Sequence, residues 1–202
     1  MLKRFFQLFR KSKPESLISP KLQEEMNQFI IAIQNRPVYR ELSQKILEAT
    51  AEDELELLVV DNLCAIIGAD DREEWAIVQD FTAGQQAVYT TWMVEAEIWE
   101  NGFNTFYRKP VGRYAELVLQ GFHAIGAPEL ANIMKEANMI FHYIQSEIKT
   151  TEDHPAEGAD MDNHPLLDEL DNEFYELSMT ENLHDLRTAY IQAHPAAFLQ
   201  VA

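Results

Sequence analysis

The sequence predicts an all-α fold, with a single compact multi-helix domain and an additional helical region at its N-terminus. Apolar residues recur at helical spacing along most of the chain, and signals for helix starts and stops separate these runs. No run of β-branched residues alternates convincingly with polar ones, so any sheet would be minor. The chain has 202 residues, of which 47% are apolar, and this is enough to bury a sizeable core.

Proline and glycine mark the boundaries of the predicted helices. Pro20 and Pro128 stand at first helical positions, where proline is favoured, and Gly68 and Gly126 follow apolar helical runs. The run that Gly68 ends is apolar nearly all round, which predicts a central place in the core. The predicted helices cover about residues 20–34, 38–49, 55–67, 72–80, 82–99, 113–125, 128–148, 165–178 and 181–193.

Composition divides the chain into three expected segments: a basic tail over residues 1–18, an N-terminal helical region over 19–71 and the main helical domain over 72–202. The tail interleaves leucine and phenylalanine with basic residues. This pattern fits either a short membrane-surface or partner-binding helix, or a disordered tail. Residues Thr150–His164 offer acids but little apolar surface, so we expect a long exposed loop there.

The net charge restricts the possible partners. It is −18 for the whole chain, and five basic residues lie within the first thirteen, so the remainder carries 11 basic against 34 acidic residues, a net of −23. Such a body repels nucleic acid and anionic membranes and attracts basic surfaces. Solubility alone is the alternative explanation. No apolar run reaches the ~20 residues of a membrane span, and no secretory signal pattern occurs, so a cytoplasmic location is expected.

Two stretches concentrate the negative charge. Residues 150–186 contain twelve acids and no lysine or arginine, and residues 48–80 contain eleven acids and one arginine. In the helix predicted after Pro165, four acids lie opposite the apolar face and Glu173 lies at its border. Together the five acids give one carboxylate per ~2.4 Å of axis, against ~1.7 Å per charge for duplex DNA. The predicted apolar face consists of Leu166, Leu167, Leu170, Phe174 and Leu177.

This charge density predicts an acidic surface that binds a basic protein. The helix after Pro165 would supply most of it, and the acid-rich start of the helix before Gly68 would supply the rest. A merely solvated helix face is the alternative for either helix alone. The predicted partner-binding residues are Asp168, Glu169, Asp171, Glu173, Glu176, Glu52, Asp53 and Glu56.

Residue types that support catalysis or metal binding lack the required spacing. Glu95 and Glu97 are two positions apart, and such residues do not share a helix face, so they are a poor acid–base pair. None of the six histidines forms a His-x-x-x-His or Glu-x-x-His pattern, and no phosphate-binding glycine motif occurs. Cys64, the only cysteine, lies in an apolar run and is expected to be buried. We therefore expect no catalytic residue, no metal and no cofactor.

The segment around Asn101-Gly102 is expected to be structural. A buried carboxylate at Glu97 would fix a turn at Asn101-Gly102 after a long helix, while Phe103 and Phe106 pack inward. The whole segment reads Glu97-Ile98-Trp99-Glu100-Asn101-Gly102-Phe103-Asn104-Thr105-Phe106-Tyr107.

This segment resembles a bacterial family of helical DNA-mimic-like domains, whose motif reads Glu-Val-x-Asn-Gly-Gly-Phe-x-Gln-Tyr-Phe. The resemblance covers about residues 88–198. The chain departs from the motif at Glu100, Asn101 and Thr105, and asparagine at position 101 can adopt the left-handed conformation that glycine would supply.

The best-known member of this family looks like an acidic, dimeric DNA mimic that occupies the DNA-binding face of a helix-turn-helix transcription regulator. The resemblance therefore implies a basic DNA-binding protein as partner, no direct binding of nucleic acid and a possible homodimer. Two alternatives remain: an enzyme of unknown class that uses the Glu97 region, and a scaffold tethered through the basic segment Met1–Lys13.

Overall fold

The computed structural model of the chain describes Glu24 and residues 35–68, 73–151 and 163–199. These residues form eight α-helices and two short 3₁₀-helices and contain no strand, which confirms the predicted all-α fold. The predicted basic tail, nearly all of the first predicted helix and residues 152–162 of the predicted loop lie outside the described residues.

The helices follow the predicted order closely. Most boundaries agree within a few residues, and the helix expected to end near position 99 breaks at Gly102 before a further helical stretch that runs to Arg108. The α-helices are α1 (Gln44–Ala49), α2 (Glu52–Ile67), α3 (Glu74–Gln79), α4 (Ala83–Arg108), α5 (Ala115–Ile125), α6 (Pro128–Thr151), α7 (Pro165–Thr180) and α8 (Leu183–Ala193). The 3₁₀-helices are Pro110–Tyr114 and Pro195–Ala197.

Local hydrogen bonds explain where the longest helices begin and end. Thr82 and Gln85 form a capping box at the start of α4: the Thr82 hydroxyl accepts the Gln85 N–H at 3.1 Å, and the Gln85 side chain accepts the Thr82 N–H at 3.0 Å. Gly126 ends α5 in the left-handed conformation, with φ 83° and ψ 33°. Gly68 ends α2 with φ 77°.

One hydrophobic core unites these helices. The long helix α4 packs against α2, α5 and α7, α6 packs against α5 and α7, and α8 packs against α2 and α5. Aromatic side chains contribute much of the buried volume. Fully buried rings include those of Tyr89, Phe103, Phe106, Phe122 and Phe174. Helix α7 is therefore held against the centre of the fold along its length.

Helix α2 is central to the core, as its apolar composition predicts, but it also buries polar groups. The Arg36 guanidinium pairs with the Asp61 carboxylate, with Nη2 and Oδ1 2.6 Å apart, and the Asn62 amide donates to the Tyr39 carbonyl at 2.9 Å. These bonds attach the stretch before α1 to the core. The fully buried apolar side chains of α2 are those of Val59, Val60 and Leu63.

Two expectations about burial need correction. Leu166 was expected on the apolar face of α7, but it is 48% exposed, because it lies at the edge of an arc whose fully buried centre is Phe174. Cys64 is only partly buried. Its surroundings still oppose ionisation, since burial and the nearby Asp61 carboxylate raise the pKa of the thiol to about 11.

Candidate acidic interaction surface

Gly102 interrupts α4 with a backbone conformation that is open essentially only to glycine. Its φ is 72° and its ψ is 171°, and the residues on both sides are helical. The expectation that Asn101 would be left-handed is therefore wrong, whereas the expected end of the regular helix at Asn101-Gly102 is confirmed, because a second helical stretch begins after the kink. Among the described residues only glycines have positive φ, and Asn101 stays helical because Gly102 makes the irregular step without a steric penalty.

Asp171 of α7 occupies the break in α4. The N–H of Phe103, which begins the resumed helical stretch, donates to Asp171 Oδ1 at 2.7 Å, so the carboxylate acts as a cap from another helix. A Cβ on Gly102 would lie 2.3 Å from Asp171 Oδ2, so the two residues fit only because position 102 is glycine. Burial raises the pKa of Asp171, although the bond from Phe103 acts in the opposite direction. The prediction that Asp171 belongs to the exposed acidic surface is wrong, because its carboxylate joins two helices.

Asn104 makes a second connection between α4 and α7, and sequence reasoning missed it. Its side chain is 7% exposed; the amide nitrogen donates to the His164 carbonyl at 3.1 Å and to Asp168 Oδ1 at 2.8 Å. Its amide oxygen accepts the His164 N–H at 2.9 Å. Asn104 thus fixes the start of α7, and Asp168 contributes to that connection while it remains exposed. The sequence signal for this role was that Asn104 lies within the segment Glu97–Tyr107, which resembles the family motif.

Glu97 lies beside the break and contacts the chain on both sides of it. Its Oε1 accepts hydrogen bonds from the Asn101 amide at 3.0 Å and from the Lys109 ammonium group. The Glu97 side chain is 14% exposed. With Phe103 and Phe106 fully buried behind it, this carboxylate stabilises the interrupted end of α4.

Glu56 is not part of the acidic surface, contrary to the prediction. It is 8% exposed, and its carboxylate accepts from Arg187 Nε and from the His184 ring. Arg187 Nη2 also donates to Glu95 Oε2 at 2.6 Å, so a single guanidinium joins α2, α4 and α8. Burial alone would lower the pKa of Arg187, but the Glu95 and Glu56 carboxylates outweigh it and raise the pKa. The sequence signal for this role was that Arg187 is the first arginine after residues 150–186, a stretch of twelve acids without lysine or arginine.

The remaining predicted acids of α7 are exposed. We call Asp168, Glu169, Glu173 and Glu176 the α7 acidic face. At ~100° per residue they fall within an arc of ~140° on the side away from the core. They span eight residue steps, so without Asp171 the spacing becomes one carboxylate per ~3 Å of axis, looser than the expected ~2.4 Å but within a factor of two of duplex DNA.

A smaller group of exposed acids begins α2. Glu52 and Asp53, which we call the α2 acidic turn, lie in the first turn of that helix, where the helix dipole favours carboxylates. This position gives them a structural role of their own. Helix α2 packs against α4 and α8, and α7 packs against α4 and α6, so α4 contacts both helices that carry these acids.

Features of other kinds of site are sparse in the described part of the chain. No group of three or more histidine, cysteine, aspartate or glutamate residues is placed to hold a metal ion there. No helix among the described residues is both long and apolar enough to cross a membrane. A cavity between α4, α6 and α7 is lined by Tyr107, Phe141, Leu167 and their neighbours, and Glu97 does not line it.

The fold and the site define a class: an acidic, all-α protein whose seventh described helix turns a row of carboxylates outward. The model of the DMP19-like protein family matches residues 79–194, which is more than half of the chain. The chain therefore belongs to the DMP19-like proteins, a family named for DNA mimic protein 19. No curated protein and no solved structure matches it.

Proposed function

We propose that the chain is an acidic protein-binding module that occupies the DNA-binding face of a basic protein, such as a transcription regulator. The observation that carries this proposal is the α7 acidic face. It presents four exposed carboxylates on one helix that contains no lysine or arginine. Membership of the DMP19-like family supports DNA-mimic character.

The packing of α7 supports the same proposal. Leu167, Leu170 and Phe174 are buried in the core, and Asn104 and Asp171 fix the helix at its start and middle. The carboxylates therefore stand on a rigid support and lose little conformational freedom on binding. Their charge is also long-range, so it raises the association rate with a basic partner, and the rate falls as salt screens it.

The test is capture of basic proteins from a native lysate at low salt on the immobilised full chain. The captured protein is then displaced with a short duplex DNA. We expect the captured protein to be released by the duplex and by rising salt, and the chain itself not to bind the duplex. The informative variant is Glu169→Gln/Glu173→Gln/Glu176→Gln, since these three side chains are exposed. Asp171 and Asp168 are left intact because they hold α4 and α7 together.

A matched control removes the same charge from dispersed positions. Glu41, Asp80 and Glu136 are exposed and lie before α1, after α3 and on α6. The variant Glu41→Gln/Asp80→Asn/Glu136→Gln should keep most of the association rate, while the α7 variant should lose at least tenfold at low salt. If the two variants lose the association rate equally, net charge alone explains the effect. Binding whose strength does not change with salt concentration would contradict the proposal.

A homodimer is a second element of the proposal, since two copies would double the length of the acidic surface. Met139 and Tyr143 on α6 are 63% and 62% exposed and one helical turn apart, an apolar pair that suits a contact between copies. Sedimentation of the wild type and of Tyr143→Ser at equal concentration tests this. A monomer in both cases would remove the dimer from the proposal.

The enzyme alternative has one direct test. Glu97 accepts hydrogen bonds from Asn101 and Lys109, so Glu97→Gln should lower stability and leave partner binding unchanged. If the variant instead abolished a measured turnover at an unchanged Tm, the enzyme reading would replace this one.

A further inference from the structure

An exposed pair of aromatic rings joins α4 to α7 beside the α7 acidic face. The rings of Trp99 and Tyr175 lie with their centroids 5.0 Å apart and their planes inclined at 45°. Trp99 is 43% exposed, and Tyr175 is partly buried. Tryptophan and tyrosine exposed in this way are the residue types that most often anchor protein interfaces.

The pair is held in place before any partner arrives. The Tyr175 hydroxyl donates to the Ile98 carbonyl at 3.0 Å, and this bond ties α7 to the turn that carries Trp99. One turn before Tyr175 on α7, Asp171 binds the break in α4. Burial raises the pKa of Tyr175, and the negative charge of Asp171 raises it further, so a carboxylate lies close to the pair.

The chain contains a second tryptophan–tyrosine pair with nearly the same geometry, and an arginine covers it. The rings of Trp75 and Tyr114 have centroids 5.1 Å apart and planes inclined at 51°. The Arg113 guanidinium lies 5.4 Å from the Trp75 ring and 5.2 Å from the Tyr114 ring. The Tyr114 hydroxyl bonds to the carboxylate of Glu74, so a negative charge lies beside this pair too.

The pair at Trp99 differs in having no such cover from the described part of the chain. Among the described residues, Arg113 is the residue whose cationic group lies over aromatic rings. The side chains that follow each ring in sequence, Glu100 and Glu176, are exposed carboxylates. The site thus offers an exposed aromatic ring packed beside a second ring, with the Asp171 carboxylate close to the pair, to a cation from outside.

We propose that the Trp99–Tyr175 pair receives an arginine side chain of the basic partner, in the arrangement that Arg113 makes within the chain. Arginine fits better than lysine, because a planar guanidinium stacks on aromatic rings and can also bind a carboxylate with two parallel hydrogen bonds. Met179, one turn beyond Tyr175 and 76% exposed, is placed to contact apolar parts of the same partner. This inference rests on the proposed function and adds the residue type that the surface selects.

The experiment compares two synthetic peptides of equal charge, one with arginine and one with lysine at every second position over about twelve residues, against the full chain. Calorimetry should give a Kd about two- to fivefold lower for the arginine peptide, as expected for a cation–π contact at an exposed site. Trp99→Leu should remove that preference, and Trp99→Phe, which retains a ring, should leave part of it.

The control is Val38→Ala, which truncates another exposed apolar side chain, in the stretch before α1. It should keep the preference for arginine. Fluorescence locates the contact independently: of the three tryptophans, Trp92 is 8% exposed and Trp75 partly buried, so a peptide-induced change should come from Trp99 and disappear in Trp99→Phe.

The outcomes separate this inference from the proposed function. One outcome is that both peptides bind with a steep salt dependence while Trp99→Leu leaves the preference for arginine unchanged. In that case the Trp99–Tyr175 pair does not bind the arginine, and the acidic surface is still supported as the binding surface. If neither peptide binds at low salt, the proposed function fails as well. If Trp99→Leu instead changes the sedimentation of the chain in the absence of peptide, the pair contacts a second copy of the chain, and the proposal that it binds an arginine is overturned.

Discussion

Replacing Gly102 with alanine tests the account of the break in α4. The new Cβ would lie 2.3 Å from Asp171 Oδ2, and the backbone would have to hold φ 72° with a side chain present. The strained conformation costs about 1–3 kcal/mol. Displacing the Asp171 carboxylate also loses its bond to the Phe103 N–H, a charged hydrogen bond of about 1.5–3 kcal/mol. We therefore expect Gly102→Ala to lower the free energy of unfolding by about 3–5 kcal/mol.

Urea denaturation followed by circular dichroism measures this loss, with Gly126→Ala as the matched control. Gly126 also has positive φ, but nothing lies within 4 Å of a Cβ there, so its replacement should cost only about 1–2 kcal/mol of left-handed strain. The double variant Gly102→Ala/Asp171→Ala should be less destabilised than the two single variants added together, because the clash is absent. A loss at Gly102 no larger than at Gly126, or strict additivity, would refute the reasoning.

Three further predictions concern groups whose environment the structure defines. Arg187→Met should lower the free energy of unfolding by about 3 kcal/mol in the same denaturation assay, because it leaves the Glu56 carboxylate buried without its guanidinium; an unchanged midpoint would contradict this. Asp171 has a raised pKa, so its contribution to stability is full below the unfolded value near 3.8 and is lost as pH rises through the folded pKa. The wild type should therefore gain stability relative to Asp171→Asn as the pH falls from 7 towards 4, and a gain in the opposite direction would show that the hydrogen bond outweighs burial. With its pKa raised to about 11, the Cys64 thiol should react with iodoacetamide at pH 8 about a hundredfold more slowly than an ordinary thiol, and labelling at the ordinary rate would contradict the account of its surroundings.

The helices could be predicted because their signals are local. The capping pattern at Thr82 and Gln85, the stops at Gly68 and Gly126 and the proline at position 128 act on residues within one turn, so the sequence displays both partners. The interruption at Gly102 shows the limit of this reasoning. The same glycine signal marks a helix stop or a break within a helix, and the choice depends on Asp171, which is 69 positions away and invisible to local patterns.

The role of each carboxylate was the part that periodicity could not supply. A helical wheel separates a buried arc from an exposed one, and it correctly turned Glu169 and Glu176 outward, while Glu173, which it placed at the border, is exposed. It cannot show that another helix leaves an N–H unpaired opposite Asp171, or that Arg187 arrives from α8 to bury Glu56. Buried acids are determined by the partner that tertiary structure brings to them.

The acids of this chain therefore divide by the partner available to them, and the division explains how one protein can be both well folded and strongly negative. The Arg187 guanidinium binds the carboxylates of Glu56 and Glu95 and joins α2, α4 and α8. The Lys109 ammonium group binds Glu97 across the break in α4. The four carboxylates of the α7 acidic face are exposed to solvent on a helix that contains no lysine or arginine. Repulsion among them lowers the stability of the isolated chain, and a surface of opposite charge relieves it. On the proposed function, the same carboxylates that cost stability in the free protein would therefore favour association with a basic partner, as a protein that takes the place of DNA requires.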